Sequence, residues 1–267
     1  MQENNTIDVL LEVGREAACK AGEIITGNFR TLAAEDIHGK GENDFVTRID
    51  LEAETAIQRV IAKYFPSHRI LAEETGYSKA SGEWLWVIDP LDGTTNFIHG
   101  IPHFAVSLAL LKSGQLQLGL IFDPLSQECF HAVLGQGAFL NDRPIRVSPA
   151  VKLAQALGAT GFPFKAPEQR PAYAGAFRAL MARCKDMRRC GSAALDLAHT
   201  ACGRYDFFWE AHLLPWDFMA GKLIVEEAGG LTGDFSGKEL GLRTSTVLAA
   251  NKILYPLLCR EIGRHFT

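Results

Sequence analysis

The sequence predicts a mixed protein with an α+β first half and an α/β second half. Three patterns predict this class: two helical stripes of apolar residues at the start, a series of short apolar runs separated by turn residues, and strand-like segments alternating with helix-like ones after Pro149. The chain has 267 residues, of which 47% are hydrophobic and 22% charged, so it can bury a large core. We expect one compact domain, residues 1–267, with subdomains at about 1–148 and 149–267.

Two amphipathic helices are predicted to open the fold. Apolar residues recur at helical spacing through Ile7–Ile25, which makes one buried stripe. A second stripe runs through Leu51–Tyr64, with Asp50 expected as the N-cap and Pro66 as the stop. Each helix should therefore pack one face on the core.

The β-rich part of the first half follows these helices. Trp84–Ile88 is apolar and partly β-branched, and it predicts a buried strand that Asp89-Pro90 ends with a sharp turn. Three more apolar runs, Ala105–Leu111, Leu116–Phe122 and Cys129–Leu134, are separated by Gly and Pro turn signals. We expect them to form an antiparallel meander.

The second half alternates strands with helices. A strand is predicted near Ala156–Thr160 and another at Tyr205–Trp209. Helices are predicted at Ser192–Gly203 and at Asp217–Ala228, the latter stopped by Gly229-Gly230. This alternation is typical of α/β structure.

Composition and charge exclude several classes of protein. The formal net charge of -4 argues against a protein that coats nucleic acid, and we interpret the basic cluster Arg183–Arg189 as a solvated edge rather than a nucleic-acid contact. The six cysteines form no C-x-x-C pair, so neither a zinc site nor a disulfide scaffold is predicted. The N-terminus does not resemble a signal peptide and no apolar run is long enough for a membrane span, so a cytoplasmic location is expected.

Two carboxylates follow the buried strand, and they are the first candidate for chemistry. Asp89 and Asp92 lie three residues apart, and the Leu91 carbonyl between them adds an oxygen. Oxygen ligands favour a hard ion such as Mg²⁺ or Mn²⁺ over zinc. The segment Gly93–Asn96 could begin a helix whose N–H groups bind phosphate oxygens. The alternative is that both aspartates merely cap a turn.

Two further acidic elements favour a metal site over a turn. Glu73-Glu74 follows the run Arg69–Ala72, and Asp217 begins a predicted helix, where it could also be a plain N-cap. Motifs for other chemistries are missing: the chain has no P-loop, no G-x-S-x-G and no H-E-x-x-H. His99 and His103 are four residues apart, but the glycine and proline between them exclude a helical pair of ligands, so we interpret them as core or loop histidines.

These residues carry a resemblance to the inositol monophosphatase family. Four segments resemble its motifs, in the family's order: Lys40–Thr47 with Asp50, Glu73-Glu74, Asp89–Phe97 and Trp216–Gly221. The segments Gly191–Ala198 and Gly203–Asp206 are most similar to the bacterial SuhB-type members. The resemblance covers nearly the whole chain, and it implies the layered αβαβα sandwich of the inositol monophosphatase and sugar phosphatase type.

The resemblance also implies a set of metal ligands. One Mg²⁺ would be held by Glu73, Asp89 and the Leu91 carbonyl, and a second by Asp89, Asp92 and Asp217. A third, water-rich ion would lie near Glu73, and Mn²⁺ is a possible substitute. Paired metals suit the in-line displacement of a phosphoryl group.

The catalytic and substrate residues follow from the same resemblance. Glu73 and Thr94 would activate a water, with Asp50 in support and no covalent phosphoenzyme. Substrate contacts are implied for Asp92, Gly93, Thr94, Gly191, Ser192, Ala193, Glu210, Asp217 and Lys40. Ser192 could instead be only an N-cap, Glu210 a solvated loop charge and Lys40 a surface lysine.

The expected function is Mg²⁺-dependent, lithium-sensitive hydrolysis of myo-inositol 1-phosphate to inositol and phosphate. Alternatives are the same chemistry on fructose 1,6-bisphosphate, histidinol phosphate or an adenosine bisphosphate, since His212 and Leu214 depart from the bacterial pattern at the substrate rim. A partner role with the transcription machinery is a further alternative, implied by the SuhB-type members. A homodimer is expected, as is common in the family, with no membrane and no specific nucleic-acid contact.

Overall fold

The computed structural model describes residues 2–31, 37–41 and 44–266. The side chains of residues 2–6, 37–41 and 44–46 are outside that description. Seven α-helices lie within the described residues: α1 (Gln2–Asn28), α2 (Arg48–Tyr64), α3 (Thr94–Ile98), α4 (Arg170–Met181), α5 (Ala193–Ala201), α6 (Pro215–Glu227) and α7 (Tyr255–Gly263).

The larger sheet has eight strands and comes from the first half of the chain. In chain order they are β3 (Arg69–Ala72), β4 (Gly76–Tyr77), β5 (Trp84–Asp92), β6 (Ala105–Lys112), β7 (Gln115–Asp123), β8 (Glu128–Val133), β9 (Ala138–Leu140) and β10 (Arg143–Pro144). They are arranged β10-β9-β8-β7-β6-β5-β3-β4, and every pair is antiparallel except β3 with β5. A separate ribbon of β1 (Ile37–Gly41) and β2 (Asp44–Thr47) precedes this sheet in the chain. The predicted meander is confirmed.

The second sheet has five strands from the second half. They are β11 (Leu157–Thr160), β12 (Asp186–Arg188), β13 (Phe207–Ala211), β14 (Gly230–Gly233) and β15 (Thr246–Asn251). Their order is β12-β11-β13-β15-β14, with parallel pairing around β11 and antiparallel pairing around β15. This half is therefore mixed rather than purely parallel.

Helices and sheets stack in five layers, so the predicted αβαβα sandwich is confirmed. α1 and α2 cover one face of the large sheet, and α5 and α6 lie between the two sheets. α4 and α7 share a third apolar core with the outer face of the small sheet. Three apolar cores thus hold the five layers together: one beneath α1 and α2, one around α5 and α6, and one beneath α4 and α7.

The burial of each helix explains its layer. The first two helices are amphipathic: α2 buries a single apolar stripe that includes Ile49, Ala53 and Ile57. In contrast, the run Phe218–Val225 of α6 is buried at every position. A helix that is apolar all round belongs in the interior of a protein. Accordingly, α6 contacts both sheets.

Three predicted boundaries were wrong in ways that matter for the site. Asp50 is not the N-cap of α2; Thr47 is, and Asp50 is the third helical residue of a capping box. β5 does not end at Pro90, because a bulge carries the strand on to Asp92. The strand predicted at Tyr205–Trp209 runs instead to Ala211, which places Glu210 in β13 rather than in a loop.

Within the described part of the chain, none of the helices combines the length and the apolar character that crossing a membrane requires. The longest helix is α1, with 27 residues. Its charged and polar positions alternate with the apolar stripe that packs on the large sheet.

Candidate active site

A cavity of about 380 Å³ lies between the carboxyl end of β5, the start of α6 and the loop before α5. Its wall includes most of the polar residues that the sequence singled out. The lining residues are Glu73, Asp89, Leu91, Asp92, Gly93, Thr94, Thr95, Gly161, Phe162, Pro163, Phe164, Lys165, Arg189, Gly191, Ala193, Glu210, Ala211, His212, Leu213 and Asp217.

The bulge in β5 brings Asp89 and Asp92 to one side of this cavity. Asp89 pairs with Ser107 of β6 and Asp92 with Ala105, so two residues of β5 oppose a single residue of β6. The N–H of Leu91 donates to Oδ1 of Asp89 at 2.9 Å. In a regular strand, residues three apart would face opposite sides. The bulge therefore makes the shared site possible.

Asp92 is fixed by the start of α5. The Ser192 hydroxyl donates to Oδ2 of Asp92 at 2.5 Å, and the N–H of Ala194 donates to the same oxygen at 2.7 Å. The Ser192 oxygen also accepts from the N–H of Leu195, as an N-cap does. Ser192 thus has both of the roles considered from the sequence: it caps α5 and it orients a cavity carboxylate.

Asp217 comes from a different layer of the fold. It is the third residue of α6, whose N-cap is Leu214, so the plain N-cap alternative was wrong. Its Oδ2 accepts from the N–H of Leu214 at 2.7 Å. A carboxylate in the first turn of a helix is favoured by the helix dipole. α6 therefore presents this carboxylate to the cavity from between the two sheets.

The clustered carboxylates raise one another's proton affinity. Burial raises the pKa of Asp89 well above its usual range, and the charges of Glu73, Asp92 and Asp217 add to that rise. Burial also raises the pKa of Asp92 to about 6, although the hydrogen bonds from Ser192 and Ala194 oppose that rise. Burial raises the pKa of Asp217 well above its usual range, and the charges of Asp92 and Glu73 add to that rise. Four acidic groups thus interact across one small, poorly solvated space.

A buried hydrogen-bond chain lies beside these carboxylates. The Thr94 hydroxyl is 2.9 Å from Oδ1 of Asp50 and 3.1 Å from the Leu91 carbonyl, both possible acceptors. Oδ2 of Asp50 accepts from the N–H and the hydroxyl of Thr47. Burial raises the pKa of Asp50, and the bonds from Thr47 and Thr94 oppose that rise. The capping box of α2 therefore holds the residue that orients Thr94.

Glu210 reaches the cavity from the small sheet. Its carboxylate lies against Gly161, where a Cβ atom would collide with it. The pKa of Glu210 is raised to about 8, mainly by burial; the charge of Arg189 opposes the rise and that of Asp92 adds to it. At neutral pH this group is therefore largely protonated, and it can donate as well as accept hydrogen bonds. The alternative of a solvated loop charge was wrong.

The sequence reasoning missed an aromatic part of the rim. Phe162 and Phe164 are 39% and 49% exposed, and their rings meet edge to face. The guanidinium of Arg189 lies 5.4 Å from the ring centroid of Phe162 and 5.7 Å from that of Phe164. Arg189 therefore lines the cavity although it belongs to the cluster that we interpreted as a solvated edge. The sequence feature that could have indicated this rim is the pair of aromatic residues flanking Pro163, shortly after β11.

The predicted site residues fall into three groups by position. Ten line the cavity: Glu73, Asp89, Leu91, Asp92, Gly93, Thr94, Gly191, Ala193, Glu210 and Asp217. Asp50 and Ser192 are buried behind the wall, each 1% exposed, and act through Thr94 and Asp92 respectively. The side chain of Lys40 lies outside the described residues.

Comparison with known proteins gives matches along almost the whole chain. Residues 6–266 match the model of the inositol monophosphatase family. A protein of Pseudomonas aeruginosa named Nus factor SuhB is 44% identical over 261 residues, which cover 96% of each chain.

Solved structures agree with this match. The extragenic suppressor protein SuhB of Bartonella henselae superposes with a TM-score of 0.91 at 38% identity, covering 96% of this chain and 99% of that one. The IMPase of Thermotoga maritima superposes with a TM-score of 0.88 at 35% identity, covering 96% and 97%. Both structures therefore share the fold of this chain over almost their whole length.

Proposed function

The chain belongs to the inositol monophosphatase family, and on that basis we propose that it hydrolyses small phosphate monoesters with Mg²⁺ as cofactor. The proposed first substrate is myo-inositol 1-phosphate. One observation carries the proposal: Glu73, Asp89, Asp92 and Asp217, distant in the sequence, line one cavity together with the Leu91 carbonyl.

The donor set of this cavity fits a hard divalent cation. Its acidic ligands are all oxygens. Burial raises the pKa values of Asp89, Asp92 and Asp217, and repulsion from neighbouring carboxylates adds to the rise for Asp89 and Asp217. One oxygen of Asp89 and one of Asp217 are already fixed by backbone N–H groups, and each carboxylate has a second oxygen for a cation. The physical argument therefore supports Mg²⁺, or Mn²⁺ in its place.

We assign the ligands as the family resemblance implies, and all of them line the cavity. Glu73, Asp89 and the Leu91 carbonyl would hold one ion, and Asp89, Asp92 and Asp217 a second, with any third ion near Glu73. When bound, such ions neutralise the charge on the phosphoryl group and on the attacking and leaving oxygens.

The residues beside these ligands are suited to hold a water for attack. Asp50 is the acceptor for the Thr94 hydroxyl hydrogen at 2.9 Å, so the Thr94 oxygen can accept a hydrogen from a water molecule. Glu73, in the same cavity wall, takes the proton that the water loses on attack. Water attacks the phosphorus directly, the bond between phosphorus and the ester oxygen breaks, and the leaving alcohol takes a proton from solvent water. No side chain becomes phosphorylated.

The opposite wall is suited to recognise the alcohol part of the substrate. Glu210 is flanked by the backbone of Gly161 and lies near enough to Arg189 and Asp92 for their charges to shift its pKa. Carboxyl oxygens and the backbone around Ala193 can bind ring hydroxyls in pairs. The exposed rings of Phe162 and Phe164 add an apolar part to the cavity wall. A compact polyol phosphate is therefore favoured over a nucleic-acid end.

A phosphate-release assay tests the proposal. Purified protein is expected to release phosphate from myo-inositol 1-phosphate when Mg²⁺ is added, and lithium is expected to inhibit that release. Asp92→Asn should lose roughly a hundredfold or more in kcat because a ligand and a substrate contact change together. Glu239→Gln, which alters an exposed carboxylate outside the cavity lining, should keep wild-type kcat.

A substrate panel separates the alternatives within this chemistry. The kcat/KM for the inositol ester would be compared with the values for fructose 1,6-bisphosphate, histidinol phosphate and an adenosine bisphosphate. A higher kcat/KM for one of these would replace the proposed substrate and leave the reaction type intact. Failure to hydrolyse any ester in the presence of Mg²⁺ or Mn²⁺ would overturn the enzymatic proposal.

A second candidate function is favoured by the relative named Nus factor SuhB. We propose that this chain also acts as a partner of the transcription machinery. The test expresses Asp92→Asn in cells that lack the wild-type chain. A cellular role that survives with the catalytically dead variant supports the partner function, and a role lost together with catalysis contradicts it.

A further inference from the structure

Three potential metal ligands meet outside the cluster of cavity carboxylates. A ring nitrogen of His103, the thiol of Cys190 and a carboxylate oxygen of Asp196 all lie within 4.8 Å of one another. His103 lies in the loop between α3 and β6, Cys190 in the loop before α5, and Asp196 within α5. The sequence pattern did not predict this group, because His103 is far along the chain from Cys190 and Asp196.

Two buried polar atoms of this group have no hydrogen-bond partner among the described residues. They are Oδ1 of Asp196 and Nε2 of His103. Asp196 is only 1% exposed. Buried polar atoms are almost always satisfied in folded proteins, so an unpartnered carboxylate beside an unpartnered imidazole needs an explanation. A bound cation would satisfy both at once.

The backbone around the group is held in place by one side chain. The amide nitrogen of Asn96 donates to the His103 carbonyl at 2.7 Å and to the Cys190 carbonyl at 2.9 Å. The Cys190 sulfur also lies 3.5 Å from the Tyr205 hydroxyl. Asn96 is itself buried in α3. The two loops that carry His103 and Cys190 are therefore fixed relative to each other before any ligand binds.

The chemistry of the three donors selects a class of metal. A thiolate, an imidazole and a carboxylate are the usual ligands of zinc and its borderline neighbours, whereas Mg²⁺ prefers oxygen alone. Zinc–ligand bonds of roughly 2.0–2.3 Å place tetrahedral donors about 3.3–3.8 Å apart. The present separations reach up to 4.8 Å, so the donors would move closer together on binding. A water would take the fourth position.

We propose that His103, Cys190 and Asp196 form a binding site for one borderline transition-metal ion, with Zn²⁺ the best match. The site is distinct from the proposed magnesium ligands, with which it shares no residue. It lies close to the cavity, because Gly191, next to Cys190, lines the cavity wall. Asn96 links both loops of the site to α3, which begins with Thr94.

Cobalt is a suitable probe, because a thiolate bound to Co²⁺ gives a charge-transfer absorption that oxygen ligands do not. Co²⁺ would be titrated into the purified protein in the presence of excess Mg²⁺, which competes for the carboxylate cluster. The wild-type protein is expected to develop this absorption with one equivalent of Co²⁺, and added Zn²⁺ should abolish it. Absence of the thiolate absorption, or absorption from oxygen ligands alone, would overturn the proposal.

Two variants and a matched control locate the probe. Cys190→Ser should lose the thiolate absorption, whereas Cys184→Ser, which changes another half-buried cysteine outside the group, should keep it. His103→Gln keeps the sulfur and should weaken Zn²⁺ binding by about tenfold or more. Circular dichroism checks that each variant is folded. Absorption that persists in a folded Cys190→Ser protein, or Zn²⁺ affinity unchanged by His103→Gln, would contradict the assignment.

Discussion

Single side chains determine how the cavity could discriminate between substrates, and Glu210 is the clearest case. Its carboxylate occupies the space where a Cβ atom of residue 161 would lie. The carboxylate is the far end of a flexible side chain, so it can move aside at little cost in stability. Any such movement would change the group that we propose to bind the polyol.

The variant Gly161→Ala tests this placement. We expect KM for the inositol ester to rise by roughly tenfold, since a misplaced binding group can cost one to two orders of magnitude. The melting temperature should change little. Gly27→Ala is the control, because a Cβ there meets no atom within 4 Å. An unchanged KM in Gly161→Ala would exclude Glu210 from substrate binding.

A second residue-scale prediction concerns acid stability. Burial, followed by the nearby charge of Arg15, lowers the pKa of His131 to about 4, and the residue is 5% exposed. In the unfolded chain the same group takes a proton near pH 6.5. The unfolded state therefore binds more protons between these pH values, so stability is complete above pH 6.5 and is lost as the pH falls toward 4.

Denaturant unfolding at several pH values would measure this effect. The lowered pKa of His131 corresponds to a loss of up to roughly 3 kcal/mol by pH 4. His131→Gln removes the titrating group and should flatten that part of the profile. His99→Gln alters an exposed histidine and should leave the profile unchanged. If the unfolding free energy of His131→Gln falls as steeply with decreasing pH as that of the wild-type protein, the prediction is wrong.

At the scale of elements, the packing of α6 on β7 determines where Asp217 lies. A Cβ atom at Gly119 of β7 would lie 2.5 Å from the Ala220 carbonyl oxygen and 3.1 Å from the Ala220 Cα. Both atoms belong to the backbone of α6, so no side-chain rotation can relieve the collision. The absence of a side chain at Gly119 is therefore what lets the helix approach the sheet so closely.

Gly119→Ala should displace α6 and affect both stability and activity. Overpacking of this kind costs about 1–3 kcal/mol of unfolding free energy. The displacement should also lower kcat, because Asp217 is in the first turn of the same helix. Gly241→Ala, with no atom within 4 Å of its Cβ, serves as the control in unfolding and activity assays. If Gly119→Ala keeps the unfolding free energy of the wild-type protein, α6 can move away from the sheet without cost and the prediction is wrong.

At the scale of the whole molecule, the cavity joins elements from different layers. Glu73 follows β3, and Asp89 and Asp92 lie in the last part of β5, whereas Asp217 lies in the first turn of the helix between the sheets. Their repulsion, seen in the raised pKa values of Asp89 and Asp217, opposes the packing of these layers. A cation bound among them would remove that repulsion and so stabilise the whole fold.

Magnesium should accordingly raise the melting temperature. A ligand present at a hundred times its dissociation constant adds about 2.7 kcal/mol, which corresponds to roughly 4–8 °C for a chain of this length. Asp89→Asn should melt higher than the wild-type protein without metal, yet respond little to Mg²⁺. Differential scanning calorimetry at constant ionic strength measures both effects. A full magnesium response in Asp89→Asn would remove Asp89 from the proposed ligands.

The division of the chain into subdomains near residue 148, the homodimer and the ligand assignments stay predictions. The family and the layered fold, in contrast, follow from the match over residues 6–266 and the structural superpositions. The sequence anticipated the right class because four motifs occur in the family's order along the chain.

The sequence by itself determined the local elements and the chemistry of the side chains. Contacts between residues close in the chain determine the apolar stripes of α1 and α2, the three strands of the meander and the capping role of Ser192. The clustering of acidic residues beside Leu91 was likewise visible, because Asp89 and Asp92 are neighbours in the sequence.

Only the tertiary structure decided how distant residues meet. The bulge that turns Asp89 and Asp92 toward one cavity depends on pairing with β6, and the position of Glu210 depends on its neighbours in the small sheet. The group of His103, Cys190 and Asp196 exists because Asn96 ties two separate loops together. Periodicity and local hydrogen bonds act over a few residues, whereas the register between strands and the packing of layers arise from contacts between segments that are distant in the chain.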